Sequence, residues 1–438
     1  MLKIADLDQH KQLLLLAFPM ILSNITVPLL GLVDTAVIGH LPYAYFLGGS
    51  TIGAMIVTSI TWLCGFLRMS TTGLSAQAYG LNNINQNLLV LFRGVLVAFA
   101  IGFSFVLLQS PFINLALNLA GGSEQVQFYA RQYSEIRIWG LPAALANLVI
   151  LGWLLGNHKT KAVMWLLMIT NLVNVCLDLL FVFGFHWQVQ GVATATIIAE
   201  YTGMILGILV VFSHYKLAVK QLFNEGQVLI SSLFERASLL SYFKLNRDIL
   251  IRTLCLELCF IFITFQGAKL GDEVVAANAI LMNFLLLISF GLDGVANATE
   301  AMVGKAYGEK NSDKLQSAVK VALFWTVIFA LCYSLLFLLA GEYLLKLISD
   351  IEAVISFAKG YLVWVILLPI VACWCFLFDG VYIGLMKAKA MRNSMIIATF
   401  AGFFPLWFLL QDHGNHGLWA ALLFFMLLRG ITLAWHYK

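Results

Sequence analysis

The chain has 438 residues, 61% of them hydrophobic and only 11% charged, with a formal net charge of +4. Soluble domains carry about 25% charged residues, so this composition excludes an ordinary soluble fold and points to an all-α, polytopic membrane protein. The few basic residues fall in connections, where they set topology and say nothing of nucleic acid.

The opening MLKIADLDQHKQ mixes acids and bases and lacks the pattern of a cleavable signal peptide. Apolar runs near the ~20 residues that cross a bilayer then recur, giving twelve predicted spans: 12–38, 46–73, 88–112, 130–155, 161–183, 190–212, 246–268, 273–303, 317–341, 356–385, 394–411 and 415–435. Basic residues concentrate in the even-numbered connections, for example Lys159 and Lys161, Lys305 and Lys310, or Lys387, Lys389 and Arg392. The positive-inside rule therefore puts both termini in the cytoplasm. The domain reading is an amino-terminal lobe over 1–212, a carboxy-terminal lobe over 246–438, and an amphipathic linker over 213–245. That linker is expected to lie on the inner membrane surface.

Span one, LLLLAFPMILSNITVPLLGLVDTAVI, holds Pro19, Pro28 and Asp34. The prolines lack an N–H and crowd the carbonyl four residues back, so this helix can bend. An ionised Asp in hydrocarbon costs about 2.5 kcal/mol or more and by default marks a functional position; an Asp hydrogen-bonded for structure alone is the alternative. On span five, Asn171, Asn174 and Asp178 share one helical face through spacings of three and four. Span six returns with Thr194, Thr196 and Glu200. Asp178 and Thr196 stand eight and ten residues from the turn at His186, so both can reach the depth of Asp34. Two carboxylates sharing such a site would compete for one proton or hold a sodium ion. Tyr133, Asn147 and Met168, with Asn171 and Glu200, are candidate linings of a cavity for flat cations.

The second half carries Asp248, Arg252, Glu257, Asp293, Glu300 and Asp379. Asp248 and Arg252, four apart, can pair, and the group reads as a stabilising charge network more than as a second ion site. All seven cysteines lie in apolar runs and read as small core residues. No P-loop, GxSxG or HExxH motif occurs, so no enzyme and no cofactor is expected.

An internal repeat divides the chain. TTGLSAQAYGLNN aligns with TEAMVGKAYGEKN at an offset of 228, as does GNHKTK with GLMKAK. Two six-span halves that both start inside are parallel repeats, an arrangement of alternating-access transporters.

Pro19 and Asp34 in the first of twelve spans, with LNRDILIRTLCLELCF, GDEVVAANAILMNF, GLDGVANATEAMVGKAYG and KAKAMRNSM in the second half, resemble the multidrug and toxic compound extrusion (MATE) transporters, DinF-like branch. The resemblance implies two six-helix bundles and a cation site in the first lobe at Asp34, Asn174, Asp178 and Thr196. It also implies export of lipophilic organic cations against protons, with bending of span one at Pro19. Sodium coupling through the same residues is the alternative. A flippase for lipid-linked precursors is a further rival; the acids argue against it, whereas Arg68, Arg131 and Arg137 keep it open. A monomer in a bacterial inner membrane is expected.

Overall fold

The computed structural model describes residues 7–121, 123–224, 226–348 and 352–437; residues 1–6 of the amino-terminal segment discussed above lie outside the described residues. The predicted spans fall mainly in helix, with those at 46–73, 88–112 and 356–385 each broken by a turn, at 64–65, 108 and 360–361. The first half comprises α1 (Leu7–Gly39), α2 (Ala44–Leu63), α3 (Phe66–Gly80), α4 (Ile84–Leu107), α5 (Gln109–Ala120), α6 (Glu124–Arg137), α7 (Leu141–Gly156), α8 (Thr160–Leu179) and α9 (Gln188–Asn224). After α10 (Gly226–Leu233) come α11 (Arg236–Leu270), α12 (Asp272–Gly308), α13 (Ser312–Ile348), α14 (Glu352–Lys359), α15 (Leu362–Gly384), α16 (Ala388–Ile397), α17 (Phe404–Leu410) and α18 (Asn415–His436). No strand occurs among the described residues.

Eleven helices among the described residues are long and apolar enough to cross a membrane. Predicted span seven lies in α11, which is not in that set; from Lys244 it carries Arg247, Asp248, Arg252 and Glu257. Helix α1 runs unbroken through Pro19 and Pro28. Residues 213–245 form no single surface helix. Helix α9 breaks at Tyr215 (φ −128°, ψ 25°) and continues to Asn224, then α10 and the start of α11 follow. Arg93 of α4 caps the end of α10, donating to the Ser232 carbonyl at 2.8 Å and the Leu233 carbonyl at 3.3 Å.

The chain divides into two compact units, Leu22–Tyr242 and a second that joins Met1–Ile21 to Phe243–Lys438. In the second unit the opening of α1 buries Leu13, Leu16 and Ala17, spaced three and four apart, against Val295, Ala298 and Ala301 of α12.

The repeat has a packing counterpart inside each unit. A Cβ on Gly152 of α7 would stand 2.5 Å from the Arg68 carbonyl of α3, and one on Gly156 would stand 2.6 Å from the Thr72 carbonyl. In the other unit the corresponding distances are 2.6 Å from Gly380 to the Ala296 carbonyl and 2.8 Å from Gly384 to the Glu300 carbonyl. All four pairs keep the 228-residue offset. Small residues let helix backbones approach closely where lipid gives no hydrophobic drive between helices.

Each unit also has a buried amide pair braced by an indole. In the first, Asn87 and Asn157 exchange bonds of 2.8 and 3.1 Å while Trp153 Nε1 donates to the Asn87 carbonyl at 2.9 Å. In the second, Asn278 and Asn415 pair at 2.8 and 2.9 Å while Trp419 Nε1 donates to Asn278 Oδ1 at 2.9 Å.

The cysteine reading needs a correction. All seven are free, but Cys176 and Cys332 are exposed; the apolar exterior of a membrane protein looks like core to composition alone.

Candidate cation site in the first half

Helices α1, α8 and α9 bring Asp34, Asn174, Asp178 and Thr196 together. The spacing of four puts Asn174 and Asp178 on the inward face of α8, and both are fully buried. The carboxyls of Asp34 and Asp178 stand within hydrogen-bond reach of each other. The Asn174 amide lies against all three partners, and its neighbours dictate its orientation. With nitrogen toward the carboxylates it donates to Asp34 Oδ1 and Asp178 Oδ2, each at 3.3 Å, and its oxygen accepts from Thr196 Oγ1 at 3.2 Å. Oδ1 of Asp178 is buried without a donor. Just beyond Asp178 the helix widens to a π turn over Leu180–Gly184, a distortion that recurs at functional positions. Val37, Phe46, Val182, Val189 and Val192 pack as an apolar cluster on the side of the α8–α9 turn.

The candidate cavity residues separate into two places. Met168 and Asn171 line a groove of about 360 Å³ between α1 and α8, with Thr26, Val33, Trp165 and Val175. Asn171 Nδ2 also donates to the Thr26 carbonyl at 3.4 Å. Tyr133, Asn147 and Glu200 do not line it. Glu200 pairs with Arg137 at 3.0 Å, Asn147 donates to the Glu200 carbonyl at 2.8 Å, and Tyr133 lies one turn before Arg137 on α6. Arg137 was legible only as a cation that kept a rival function open. Its signal was its position four residues after Tyr133, on the same face of one helix.

In the second unit Asp379 of α15 is held by Arg252 of α11 and by Arg429 of α18, the latter at 2.8 Å. Asp248 pairs with Arg392 at 2.8 Å and Arg247 at 3.0 Å. The expected Asp248–Arg252 pair is therefore absent, because Arg392 and Asp379 on neighbouring helices take its two members. Asp293 acts electrostatically on Arg429, and Glu300 is buried on α12. Glu257 is half-buried on α11 and makes no ion pair among the described residues.

No group of three or more His, Cys, Asp or Glu side chains with metal-site geometry occurs among the described residues. The oxygens around Asp34 and Asp178 are hard donors that suit a proton or a hard cation, and their carboxyls can also pair with an organic cation.

Comparison with known proteins identifies the family and the fold. The MatE family profile matches residues 19–180 and 249–408, two segments whose ends are 228 residues apart. The DNA damage-inducible protein F of Escherichia coli (strain K12) is 46% identical over 427 residues, covering 98% of this chain and 92% of that protein. A crystal structure described as MATE in the bent conformation superposes with a TM-score of 0.85 at 18% identity, over 98% of this chain and 95% of that one. A structure described as the outward-facing conformation of a multidrug resistance MATE family transporter gives 0.82 at 18% identity, with the same coverage. With the family profile on both halves and nearly half the residues shared with a full-length relative, the chain belongs to the MatE family of membrane transporters.

Proposed function

We propose that this transporter exports lipophilic organic cations in exchange for protons, using Asp34, Asn174, Asp178 and Thr196. The observation that carries the reading is the contact between two carboxyls around one amide, beside a buried acceptor with no donor. Two carboxylates at that separation repel unless a proton or a cation stands between them. The site is therefore built to trade one positive charge for another. A deprotonated pair favours the cation-loaded state, and proton arrival from outside displaces the cargo. Bending of α1 at Pro19 would then close the site. Twelve spans, cytoplasmic termini, a monomeric state and a bacterial inner-membrane location belong to the same reading.

Sodium is the second reading, since the Asn174 and Thr196 oxygens are ordinary ligands for a hard cation. A lipid-linked anion as cargo is disfavoured, because the guanidinium of Arg137 is already neutralised by Glu200. The test is ethidium movement in proteoliposomes under a pH gradient or a sodium gradient imposed separately. Movement driven by pH and lost in Asp34→Asn and Asp178→Asn is the expected result. Wild-type movement in both variants would sink the proposal.

A further inference from the structure

Arg137 is itself a flat organic cation, resident near the carboxyls at which an exported cation would bind. Its partner Glu200 lies on α9 one turn beyond Thr196, about 6 Å along the helix axis, and Thr196 is the residue that meets Asn174. Arg137 acts electrostatically on Asp34. Released from Glu200, that guanidinium would meet Asp34 and Asp178 as the neighbouring acids of the same unit.

The structure provides for the first choice. Arg137 and Glu200 meet at 3.0 Å with side chains only 8% and 17% exposed. Space for them depends on Gly140: a Cβ there would collide with Glu200 Oε2 and stand 3.0 Å from Arg137 Nη1. Tyr133, one turn before Arg137 on α6, rests on Gly53 of α2, where a Cβ would approach its ring at 2.8 Å. Intramembrane charges are costly and mark function by default. A buried ion pair adds little stability over an apolar pair of the same volume. Fold stability alone is thus a weak reason to keep a guanidinium here.

We propose that Glu200 is a positioning residue that holds the Arg137 guanidinium away from Asp34 and Asp178, so that the protein's own cation does not occupy the site needed by the exported one. The inference rests on the cation-exchange reading above and adds an internal competitor to it. Loss of the Glu200 charge releases Arg137 to pair with the acidic dyad. Cargo must then displace it, and binding weakens while the maximal rate survives. Removing Arg137 as well removes the competitor and restores binding.

The test is the concentration dependence of initial ethidium uptake into proteoliposomes under a fixed pH gradient, normalised to monodisperse protein. Glu200→Gln is expected to raise the apparent KM about tenfold with a maximal rate within about threefold of wild type, and the double variant Glu200→Gln/Arg137→Gln to return KM to within about threefold. A pair that mattered only for folding would lower the amount of active protein and leave KM alone. Glu200→Asp, which keeps the charge on a shorter stem, is expected to give a smaller KM rise that Arg137→Gln again reverses; it carries the test if Glu200→Gln does not fold. An unchanged KM in both single variants, or a double variant as impaired in KM as its Glu200 parent, overturns the inference. Asp34→Asn run in parallel separates the two claims. If it transports like wild type, the cation-exchange reading falls; if it is inactive while Glu200 variants keep their KM, only the competitor role falls.

Discussion

Replacing Gly152 or Gly380 by alanine tests the helix seams common to the two units. At either position the new methyl would stand 2.5–2.6 Å from a backbone carbonyl of the facing helix, about half an ångström inside the 3.0 Å that real Cβ atoms respect. The obstacle is a main-chain oxygen committed to its own helix, so it cannot rotate away as a flexible side-chain tip would. Forcing such a helix pair apart costs typically about 1–3 kcal/mol and occasionally more. Alanine in a helix returns about 1 kcal/mol of propensity, which leaves each variant destabilised by about 0–2 kcal/mol. Gly31 of α1 is the control, because a Cβ there meets nothing within 4 Å, and Gly31→Ala should hold or slightly raise the unfolding temperature. The measurement is thermal unfolding of detergent-purified protein. At about 2–4 °C per kcal/mol in domains of 150–250 residues, and less in a longer chain, a drop of a few degrees is expected. Should Gly152→Ala and Gly380→Ala melt with Gly31→Ala, the close backbone approach is not what limits these seams.

Asp379→Asn strips the shared acceptor from Arg252 and Arg429 and should cost about 3–5 kcal/mol, as broken buried pairs do. Asp248→Asn should cost less, because the side chain of its partner Arg247 is 59% exposed; equal losses in the same melt would contradict the burial argument. Trp153→Phe and Trp419→Phe each delete one indole donor from a buried amide pair and should lower stability by about 1 kcal/mol, read as parallel shifts in unfolding temperature. Asn174→Ala removes the amide between both carboxylates and Thr196 and should cut proton-driven ethidium transport at least about tenfold with the unfolding temperature little changed. Undiminished transport would show that the amide is not part of the site.

What the amino-acid order revealed was whatever one helix encodes by itself. Asn174 and Asp178 share a face because four residues make about one turn, and the turn at His186 brings Thr196 back to the same level. The 228-residue offset showed as sequence likeness and reappeared as matched glycine contacts. Partners from distant helices were hidden. Arg137 and Glu200 are 63 residues apart and Arg429 and Asp379 are 50 apart, and no periodicity connects them. The Asp248–Arg252 reading failed for the same reason: spacing of four made contact feasible, while the neighbouring helices supplied Arg392 and Asp379 as the partners actually met.

The duplicated scaffold is not matched by duplicated acids. At the offset that superposes the glycine seams, Asp178 falls on Leu406 and Asp34 on Phe262, with Ile263 and Thr264 next to it. The carboxylate couple of the first copy therefore has no counterpart in the second. If exchange runs through that couple, each turnover can move at most two elementary charges inward, however bulky the outgoing compound, and measured stoichiometry has a ceiling set by ancestry.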